Sequence, residues 1–428
     1  MAIVDALNRA YDRYYAGPER RILAKDARFD GGLAGPPVVG DLTQHFEIQD
    51  DLRPLFGKGP AVAPSIGHHP DFEHLKATRA TEFAPITTLF MDMEGSTRLG
   101  LIYTPEQVFK TKNAVIQSTI DIIKSFDGHV HRIMGDAVMA FFGGKRSTVE
   151  QGAIDALNCA ATLRALIVSL VEKRLPEMAD EPLGIRIGLD YGAKEKVLWG
   201  PYGYPGMEEI TATSFHVDVA SKLQHAAGRN QIMLGDSLRA LLDVPDVLLQ
   251  KKTFIKNGEE QEEPYATPNY AGADGKPINY RKYLFKWDEY LSCTHLAAAA
   301  PALLGKTGGQ LRVDVVVAHE RKDSAIAARY SPCGQMVPKQ KQLRFQVEIP
   351  FQPRVPLALD FRVENHGLEA SRAENSGNHA DRQDKTKLGD LTCTHWESTL
   401  YRGLHYLNVL VSAQGKQVMA RRLGVWVE

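Results

Sequence analysis

Two short segments of this chain each place an aspartate where it can bind a metal ion. In residues 87–97, TTLFMDMEGST, an apolar strand ends at Asp92 and a turn of small residues then opens a helix. In residues 134–137, MGDA, Asp136 stands at the tip of a tight turn between two apolar strands. Two carboxylates on rigid turns, beside a backbone nest of phosphate size, are what a two-metal site acting on a nucleoside triphosphate requires. The pair therefore favours an enzyme.

Each of these residues also has an ordinary structural explanation. Asp92 at a strand end could cap the next helix, and Asp136 beside a glycine could simply stabilise its turn. Arg186, in the apolar segment IRIG, could be an edge residue or the partner of a buried acid. The metal site is favoured because these features occur together and in one order.

The elements around the two aspartates predict an α/β (α+β) domain of the ferredoxin-like type over residues 83–290. A helix begins at residues 104–107, TPEQ, with an N-cap, a proline at the first position and a capping-box glutamine. A hairpin is predicted over 129–142 and a long helix over 149–173. With a strand over 183–189, the order is β-α-β-β-α-β, which is the ferredoxin-like unit.

The regions on either side of this domain differ from it in composition. Residues 1–82 predict a helix over 3–15 followed by a Gly/Pro-rich extended arm, which we interpret as a dimer contact. Residues 300–428 predict an antiparallel β-sandwich, because short alternating strands follow one another without helices. Its strands are predicted over 311–317, 343–349, 357–363, 405–411 and 421–427. The polar residues 371–390 predict a long mobile loop.

The overall composition excludes several classes of protein. The formal net charge is −1, so no global field attracts the chain to nucleic acid or to an anionic membrane. Four cysteines without metal-ligand spacing indicate free thiols in a reducing compartment. No uninterrupted apolar stretch is long enough to cross a bilayer. We therefore predict a cytoplasmic protein without a membrane partner.

The order of strand, acid, turn, hairpin and second acid resembles the class III nucleotidyl cyclases over residues 83–290. The resemblance implies that the ribose 3′-hydroxyl of a nucleoside triphosphate attacks the α-phosphorus and releases pyrophosphate, with two Mg²⁺ or Mn²⁺ ions per site. Asp92, Asp136 and the carbonyl of Met93 match the metal ligands of the family. Residues that match its phosphate-binding positions are Gly95, Ser96 and Thr97 in the turn, Arg186 on its strand, and Lys256.

The nucleobase is contacted in this family by two residues, whose positions correspond to Arg132 and Thr211. Adenine requires lysine with aspartate or threonine, and guanine requires glutamate with cysteine, so guanine is disfavoured here. The longer arginine fork suits the acceptors of a pyrimidine, uracil O4 and O2 or cytosine N3 and O2. Uracil is favoured slightly, which predicts conversion of UTP to cyclic UMP, with CTP and then ATP as alternatives. Arg132 could instead pair with a nearby carboxylate, and a catalytically inactive nucleotide-sensing module is the alternative of another class.

One family motif is altered in this chain. The family segment that supplies a ribose-orienting asparagine and a transition-state arginine matches residues 217–223, VDVASKL, with Asp218 and Lys222 at those two positions. Lysine keeps the positive charge and loses the bidentate fork. In homodimeric members, the metal site and the base-contacting residues belong to different subunits. The resemblance therefore implies a homodimer with composite active sites, in which a monomer is inactive.

The last third of the chain resembles the small sensor domain that is appended to bacterial cyclases and related immunity enzymes. The matching residues are 363–367, 395–403 and the pair 421–422. His395 and His405, which have no evident acidic partner, are interpreted as structural. With an arginine at the base position, the two domains together resemble the pyrimidine cyclases of bacterial anti-phage signalling. This implies a cyclic nucleotide that a separate effector protein detects.

Nucleic-acid binding by this last domain is a weak alternative. It is permitted by a set of basic residues, which are Lys339, Lys341, Arg344, Arg421 and Arg422. Their more ordinary role is a solvated face, so a nucleic-acid partner is unlikely from the sequence.

Overall fold

The computed structural model of the protein describes residues 2–16, 47–174, 183–266, 270–304, 311–320, 328–385 and 391–428. The α-helices are α1 (Ala2–Ala16), α2 (Glu47–Leu55), α3 (Leu99–Ile102), α4 (Pro105–Ser125), α5 (Val149–Arg174), α6 (Phe215–Ala226), α7 (Asp236–Leu242), α8 (Trp287–Leu291) and α9 (His295–Ala299).

The first fourteen strands belong to the part of the chain that we call the α/β domain. They are β1 (Glu82–Phe83), β2 (Ile86–Glu94), β3 (His129–Met134), β4 (Ala137–Phe142), β5 (Gly184–Gly192), β6 (Leu198–Tyr204), β7 (Met207–Thr213), β8 (Gln231–Gly235), β9 (Leu249–Gln250), β10 (Thr253–Lys256), β11 (Glu259–Glu262), β12 (Tyr270–Ala271), β13 (Pro277–Ile278) and β14 (Lys282–Phe285).

The last nine strands build the part that we call the sandwich. They are β15 (Arg312–Ala318), β16 (Arg329–Tyr330), β17 (Met336–Val337), β18 (Gln342–Glu348), β19 (Leu357–Glu364), β20 (His379–Lys385), β21 (Thr392–Ser398), β22 (Gly403–Ala413) and β23 (Lys416–Val427).

A seven-stranded sheet in the order β3-β4-β2-β5-β8-β14-β9 forms the centre of the α/β domain. Its interior strand β2 lies antiparallel to both neighbours, β4 and β5. Leu89 and Met91 point to one face, which α4 and α5 cover, and Phe90 points to the other. The order β2-α4-β3-β4-α5-β5 confirms the predicted ferredoxin-like unit.

Helix positions in this domain follow from local sequence. Thr104 accepts a hydrogen bond from the Gln107 amide, and the Gln107 side chain accepts one from the Thr104 amide, so the predicted capping box starts α4. Helix α5 is long and apolar enough to cross a membrane, but 89% of its apolar window is buried within the protein. It is the central core helix against which several other elements pack.

The first two helices pack into the same hydrophobic core as α4 and α5. The Tyr14 hydroxyl donates to Asp121 on α4 at 2.7 Å, and Arg53 donates to Asp127 at 2.8 Å. These polar contacts fix α1 and α2 beside α4. The predicted Gly/Pro-rich arm lies in residues 17–46, which are outside the described residues.

The sandwich consists of two sheets, in the orders β16-β15-β18-β21 and β17-β23-β22-β19-β20. All five predicted strands occur there, and their inward residues form a separate apolar core. The prediction of a mobile loop over 371–390 is wrong for residues 379–385, because β20 pairs with β19 along its whole length. The sequence HADRQDK has no apolar alternation, since this edge strand buries neither face deeply. Residues 386–390 lie outside the described part of the chain.

The sandwich docks against the α/β domain through β22 and β23. Trp426, which is fully buried, donates from its indole nitrogen to the Tyr290 hydroxyl at 3.3 Å. That hydroxyl donates in turn to Asn158 on α5 at 2.9 Å. The Asn158 amide also donates to the Cys333 carbonyl at 2.8 Å. A continuous buried network therefore joins the two domains.

The basic residues that weakly permitted nucleic-acid binding are engaged within the protein. Lys339 pairs with Glu369, Arg422 pairs with Glu364, and Arg421 is buried and donates to the Thr294 carbonyl. Lys341 contacts His319, and Arg344 lies over Trp396.

His395 differs from its interpretation, because two acids contact it. Its Nε2 is 2.5 Å from Glu397, and its Nδ1 is 3.5 Å from Asp381. The expectation that it lacks an acidic partner is therefore wrong.

Candidate active site

The two aspartates lie on neighbouring strands at one end of the central sheet. The register of β2 and β4 pairs Asp92 with Ala137, so Asp136 directly precedes the residue opposite Asp92. Opposed residues in antiparallel strands have Cα atoms about 4.5–5.5 Å apart, so the backbone of Asp136 is one residue from this close pair. Their side chains are 18% and 25% exposed, so both can be reached from solvent. Met93, the next residue on β2, is buried.

Cationic side chains balance both carboxylates. Arg186 is opposite Asp92 on β5, and its Nη2 is 2.5 Å from Asp92 Oδ2. On the other side, Lys112 Nζ of α4 is 3.7 Å from Asp136 Oδ2, and the Ser96 hydroxyl donates to the same oxygen. Charge-assisted bonds of this kind are the strong ones among side chains. We call Asp92, Asp136, Arg186, Ser96 and Lys112 the acid cluster.

The turn after β2 requires a glycine. Gly95 has φ of +83°, in the left-handed region where an L side chain is strained. Ser96 then begins a single 3₁₀ turn, Ser96–Arg98, with its side chain buried and the Thr97 side chain exposed. Because the Ser96 hydroxyl donates to Asp136, this turn places the backbone of residues 95–97 next to that aspartate.

Arg132 on β3 pairs with Glu209 on β7. Arg132 Nε donates to Glu209 Oε1 at 2.5 Å, and Nη2 contacts the second carboxylate oxygen, so the pair is bidentate. The two side chains are 41% and 30% exposed. The alternative that Arg132 has a carboxylate partner is therefore what the structure contains, and the partly exposed fork is still accessible to a ligand.

Thr211 is held by a relay of hydrogen bonds that starts at a backbone carbonyl. Burial lowers the pKa of His131 to about 4, so the ring is neutral near pH 7. His131 Nδ1 is 3.0 Å from the Gly67 carbonyl oxygen, which can only accept, so Nδ1 bears the hydrogen. Nε2 then accepts from the Thr211 hydroxyl at 3.0 Å. The Thr211 hydroxyl hydrogen is thus donated to His131, so toward a ligand the Thr211 oxygen can only accept hydrogen bonds.

Glu209 also approaches this relay. Its Oε1 is 3.1 Å from His131 Nε2, a position that would form an ion pair if the ring were protonated. Because the pKa of His131 is lowered by burial, the neutral ring and the Thr211 donor prevail near neutral pH. We call Arg132, Glu209, His131 and Thr211 the base cluster.

The remaining predicted residues lie on α6 and on the β10–β11 hairpin, and α6 reaches the acid cluster through Gln224, which donates to Asp92 at 3.3 Å. Asp218 and Lys222 are exposed, one turn from each other on the same face of α6. Lys256 is exposed on the β10–β11 hairpin, opposite Glu259. Within the described part of the chain, no hydrogen bond or ion pair links the acid cluster to the base cluster. The two clusters therefore form separate groups of contacts within the described part of one chain.

Sequence analysis missed three residues of these clusters, which are Lys112, His131 and Glu209. Lys112 lies on the helix after the acidic turn, and no local pattern distinguishes it from a solvated lysine. Glu209 and Arg132 are 77 positions apart, and only the fold of the β6–β7 hairpin brings them together. The position of Glu209 two residues before Thr211 was the one available signal, since alternate strand residues share a face.

Comparison with known proteins agrees with this geometry. Residues 78–266 match the adenylate and guanylate cyclase catalytic domain, and residues 299–428 match the adenylyl/guanylyl and SMODS C-terminal sensor domain. The chain is 39% identical to a cytidylate cyclase of Escherichia coli over 382 residues, covering 86% of this chain and 79% of that one. It is 22% identical to a uridylate cyclase of Burkholderia cepacia over 208 residues, covering 46% of this chain and 85% of the relative. Among solved structures, the adenylyl cyclase CyaB from P. aeruginosa has a TM-score of 0.38 and 20% identity, covering 48% of this chain and 95% of that one.

The catalytic-domain match includes every residue of the acid and base clusters, and the sensor-domain match includes the whole described sandwich. The identity to a cytidylate cyclase extends over most of both chains. The protein is a nucleotidyl cyclase, and it belongs to the class III cyclases, within the group of pyrimidine cyclases that have a C-terminal sensor domain.

Proposed function

We propose that the protein is a cytidylate cyclase, which converts CTP into 3′,5′-cyclic CMP and pyrophosphate. The observation that supports this choice most directly is the hydrogen-bonding character of the base cluster. Thr211 and Glu209 present only acceptors, while Arg132 presents only donors.

Cytosine has the complementary pattern. Its N4 amino group donates, and its N3 and O2 atoms accept, so the amino group fits Thr211 or Glu209 and the ring acceptors fit the Arg132 fork. Uracil has a carbonyl in place of the amino group, and O4 would then face acceptors. A site whose polar groups are left unpaired discriminates strongly against the analogue. The base cluster therefore favours CTP over UTP.

The names of the relatives agree with this preference. The relative at 39% identity is called a cytidylate cyclase, while the uridylate cyclase is 22% identical over a shorter segment. The sequence alone favoured uracil slightly because uracil has carbonyl acceptors on both sides of N3, while the Thr211 hydroxyl could donate or accept. UTP remains the second candidate, and the position of one hydroxyl hydrogen separates the two.

The acid cluster is suited to two Mg²⁺ or Mn²⁺ ions. Mg²⁺ in phosphate-transfer sites takes one or two carboxylates and completes its shell with water and substrate phosphates. This agrees with the described residues, which contain no group of three potential ligands from His, Cys, Asp and Glu. Asp92, Asp136 and the Met93 carbonyl would hold the ions. Such ions acidify an attacking hydroxyl and neutralise the leaving pyrophosphate.

The residues around the acids then bind the triphosphate. Arg186, which pairs with Asp92, would contribute positive charge to binding of a substrate phosphate. The backbone amides of Gly95, Ser96 and Thr97 supply further donors. Lys112 adds a positive charge beside Asp136, and Lys256 could contribute only through movement of its hairpin or from a second subunit.

We also propose a homodimer with composite active sites. The α/β domain exposes large apolar side chains on several elements, including Leu101 (87%), Tyr204 (80%), Met207 (82%) and Ile255 (79%). Tyr204 and Met207 are paired at the end of the β6–β7 hairpin, so together they offer an apolar surface to a partner. A second copy would cover it and bring the base cluster of one chain to the acid cluster of the other.

In this arrangement α6 of one subunit would face the nucleotide held by its partner. Asp218 would accept from a ribose hydroxyl, and Lys222 would stabilise charge on the transferring phosphorus. Both side chains are on an exposed face of α6, as this role requires.

A signalling role is proposed from the domain pairing. The sensor-domain match beside a cyclase domain supports a regulated enzyme whose cyclic nucleotide acts as a second messenger. We place it in cytoplasmic antiviral (anti-phage) defence, with a separate cyclic-nucleotide-binding effector protein as the receiver.

Product identification tests the proposal. The purified protein is incubated with each of the four nucleoside triphosphates and Mn²⁺, and products are identified by mass spectrometry. Cyclic CMP should dominate, and Asp92→Ala and Asp136→Ala should abolish it while the circular dichroism spectrum is unchanged. Dominant cyclic UMP would select the second candidate, and parent-level activity in either alanine variant would contradict the acid cluster.

A further inference from the structure

The sandwich contains a cavity of about 280 Å³ between its two sheets. Its inner wall is apolar and consists of Leu343, Phe345, Leu407, Val425 and Val427. The volume is about twice that of a cavity of ~150 Å³ that can hold a benzene molecule. It is therefore large enough for one aromatic ring with a short side chain.

The mouth of the cavity lies where two edge strands meet. β20 is the last strand of one sheet and β21 is the last strand of the other, so no backbone ladder joins them. Among the described residues, two contacts across this seam each involve at least one side chain. His379 contacts Glu397 at 3.1 Å, and Gln383 donates to the Thr394 carbonyl at 3.2 Å. Side-chain contacts can exchange for a ligand without breaking a sheet.

An aromatic side chain, that of Tyr401, also lines the cavity. Tyr401 packs against Gly377, where an added Cβ atom would lie 2.7 Å from the tyrosine ring. Gly377 also has φ of +68°, so two independent constraints select glycine there. The phenol ring thus lines the cavity together with His379 and Glu397.

The polar groups at the mouth define the charge that a ligand can have. Glu397 is the acidic residue of the lining, and its side chain is 16% exposed. The described lining includes no lysine or arginine. Burial lowers the pKa of His405 to about 4, so this histidine is neutral. A phosphate or carboxylate would therefore meet a carboxylate and no permanent cation.

His379 is the group that a ligand would replace. Its side chain is 51% exposed, whereas Glu397 is held from the other side by buried His395 at 2.5 Å. Partial burial lowers the pKa of His379, but the Gly377 carbonyl and Glu397 raise it above the ordinary value overall. Glu397 is thus an acceptor with one buried partner, His395, and one exposed partner, His379.

We propose that this cavity binds a compact amine with an apolar, ring-sized body, whose ammonium group pairs with Glu397 in place of His379. The ring would occupy the space between Phe345, Leu407 and Val425. The site would distinguish amines from phosphorylated molecules, so the cyclic nucleotide product is not its ligand.

The strands that line the cavity also contact the α/β domain. Successive residue pairs of β22 and β23 alternate, with His405 and Val425 facing the cavity and Leu404 and Trp426 facing the other domain. Trp426 continues the buried network to Tyr290 and Asn158. A ligand in the cavity would therefore act on strands that support the catalytic domain.

Three matched probes test the site on the full-length protein. The probes are phenethylamine, 2-phenylethanol and phenylacetate. Binding is followed by ligand-observed NMR and by titration calorimetry. We expect a Kd of about 1 mM for the amine, roughly tenfold weaker binding of the alcohol and none of the acid. Phenylacetate binding at least as tightly as the amine, or no binding of any probe up to about 10 mM, would overturn the proposal.

Two variants separate this site from nonspecific adsorption. Glu397→Gln should weaken the amine at least about tenfold and leave the alcohol unchanged, because only the charge is removed. Glu348→Gln, an exposed carboxylate at the far end of β18, is the matched control and should leave all three probes unchanged. Equal weakening in both variants, with the melting temperature of each unchanged, would contradict a site at Glu397.

Discussion

The choice between cytosine and uracil can be tested at Glu209. Glu209→Gln keeps the size of the side chain and replaces a group that only accepts hydrogen bonds with an amide that can rotate. The amide can accept from the cytosine N4 amino group or donate to uracil O4. We therefore expect the variant to lose most of its preference for CTP.

The magnitude follows from the kind of hydrogen bond that is removed. A bond to a charged group contributes about 1.5–3 kcal/mol, and Glu209 is 30% exposed, so the lower end applies. Every 1.4 kcal/mol is about a factor of ten, so the ratio of kcat/KM for CTP to that for UTP should fall about tenfold. The lost Arg132–Glu209 pair is half exposed and should cost less than about 1 kcal/mol of folding stability.

A competition assay measures the ratio directly. The enzyme receives equal concentrations of CTP and UTP, and cyclic CMP and cyclic UMP are quantified together by mass spectrometry. Glu208→Gln is the control, because this neighbour points to the opposite face of β7 and its carboxylate bonds the Ala77 amide. The reasoning would be refuted if Glu209→Gln kept the parent ratio within about twofold while Glu208→Gln behaved identically.

Three further predictions concern the relay, the dimer and the buried histidines. His131→Leu frees the Thr211 hydroxyl to donate to uracil O4, so the CTP to UTP ratio should fall in the same competition assay, and a ratio that rises would contradict the relay. Mixing inactive Asp136→Ala and Arg132→Ala proteins should restore about a quarter of the parent cyclase activity. After random exchange, half of the dimers contain both variants, and one of the two sites in each of them is complete. No recovery of activity after subunit exchange would contradict composite sites. Burial lowers the pKa of His69, His131, His295 and His405 to about 4, below the ordinary 6.5, so their contribution to stability is present above pH 6.5 and is lost as pH falls toward 4. Each should cost about 1 kcal/mol at pH 5.5 relative to pH 7.5, which urea unfolding at the two pH values measures, and equal stability at both would refute the buried neutral state.

Local sequence predicted the elements that position the site, but not the contacts between them. The capping box at Thr104 and the apolar strands around Asp136 are local signals, and both helix and hairpin occur as expected. Strand β20 was missed because an exposed edge strand needs no apolar alternation. This error concerns a strand whose stability comes from pairing with β19 and not from burial of an apolar face.

The chemistry of the base cluster was less predictable for a different reason. Arg132 and Thr211 could be matched to family positions, but the Thr211 hydroxyl could have pointed its hydrogen either way. Its direction depends on the His131 tautomer, which depends on the Gly67 carbonyl 64 positions earlier in the chain. No local pattern records such a dependence, so the sequence left uracil and cytosine nearly equal.

The bond between Arg186 and Asp92 has a thermodynamic consequence for the order in which ligands arrive. The Arg186 guanidinium cannot bind the Asp92 carboxylate and a phosphate at full strength at the same time. Without substrate, Arg186 therefore balances the charge of Asp92. A nucleotide that bound Arg186 would leave Asp92 more attractive to a cation, and a cation held by Asp92 would leave Arg186 available to the nucleotide. By reciprocity, each ligand raises the affinity for the other by the same factor. Either ligand alone would therefore bind more weakly than it does when the other is present.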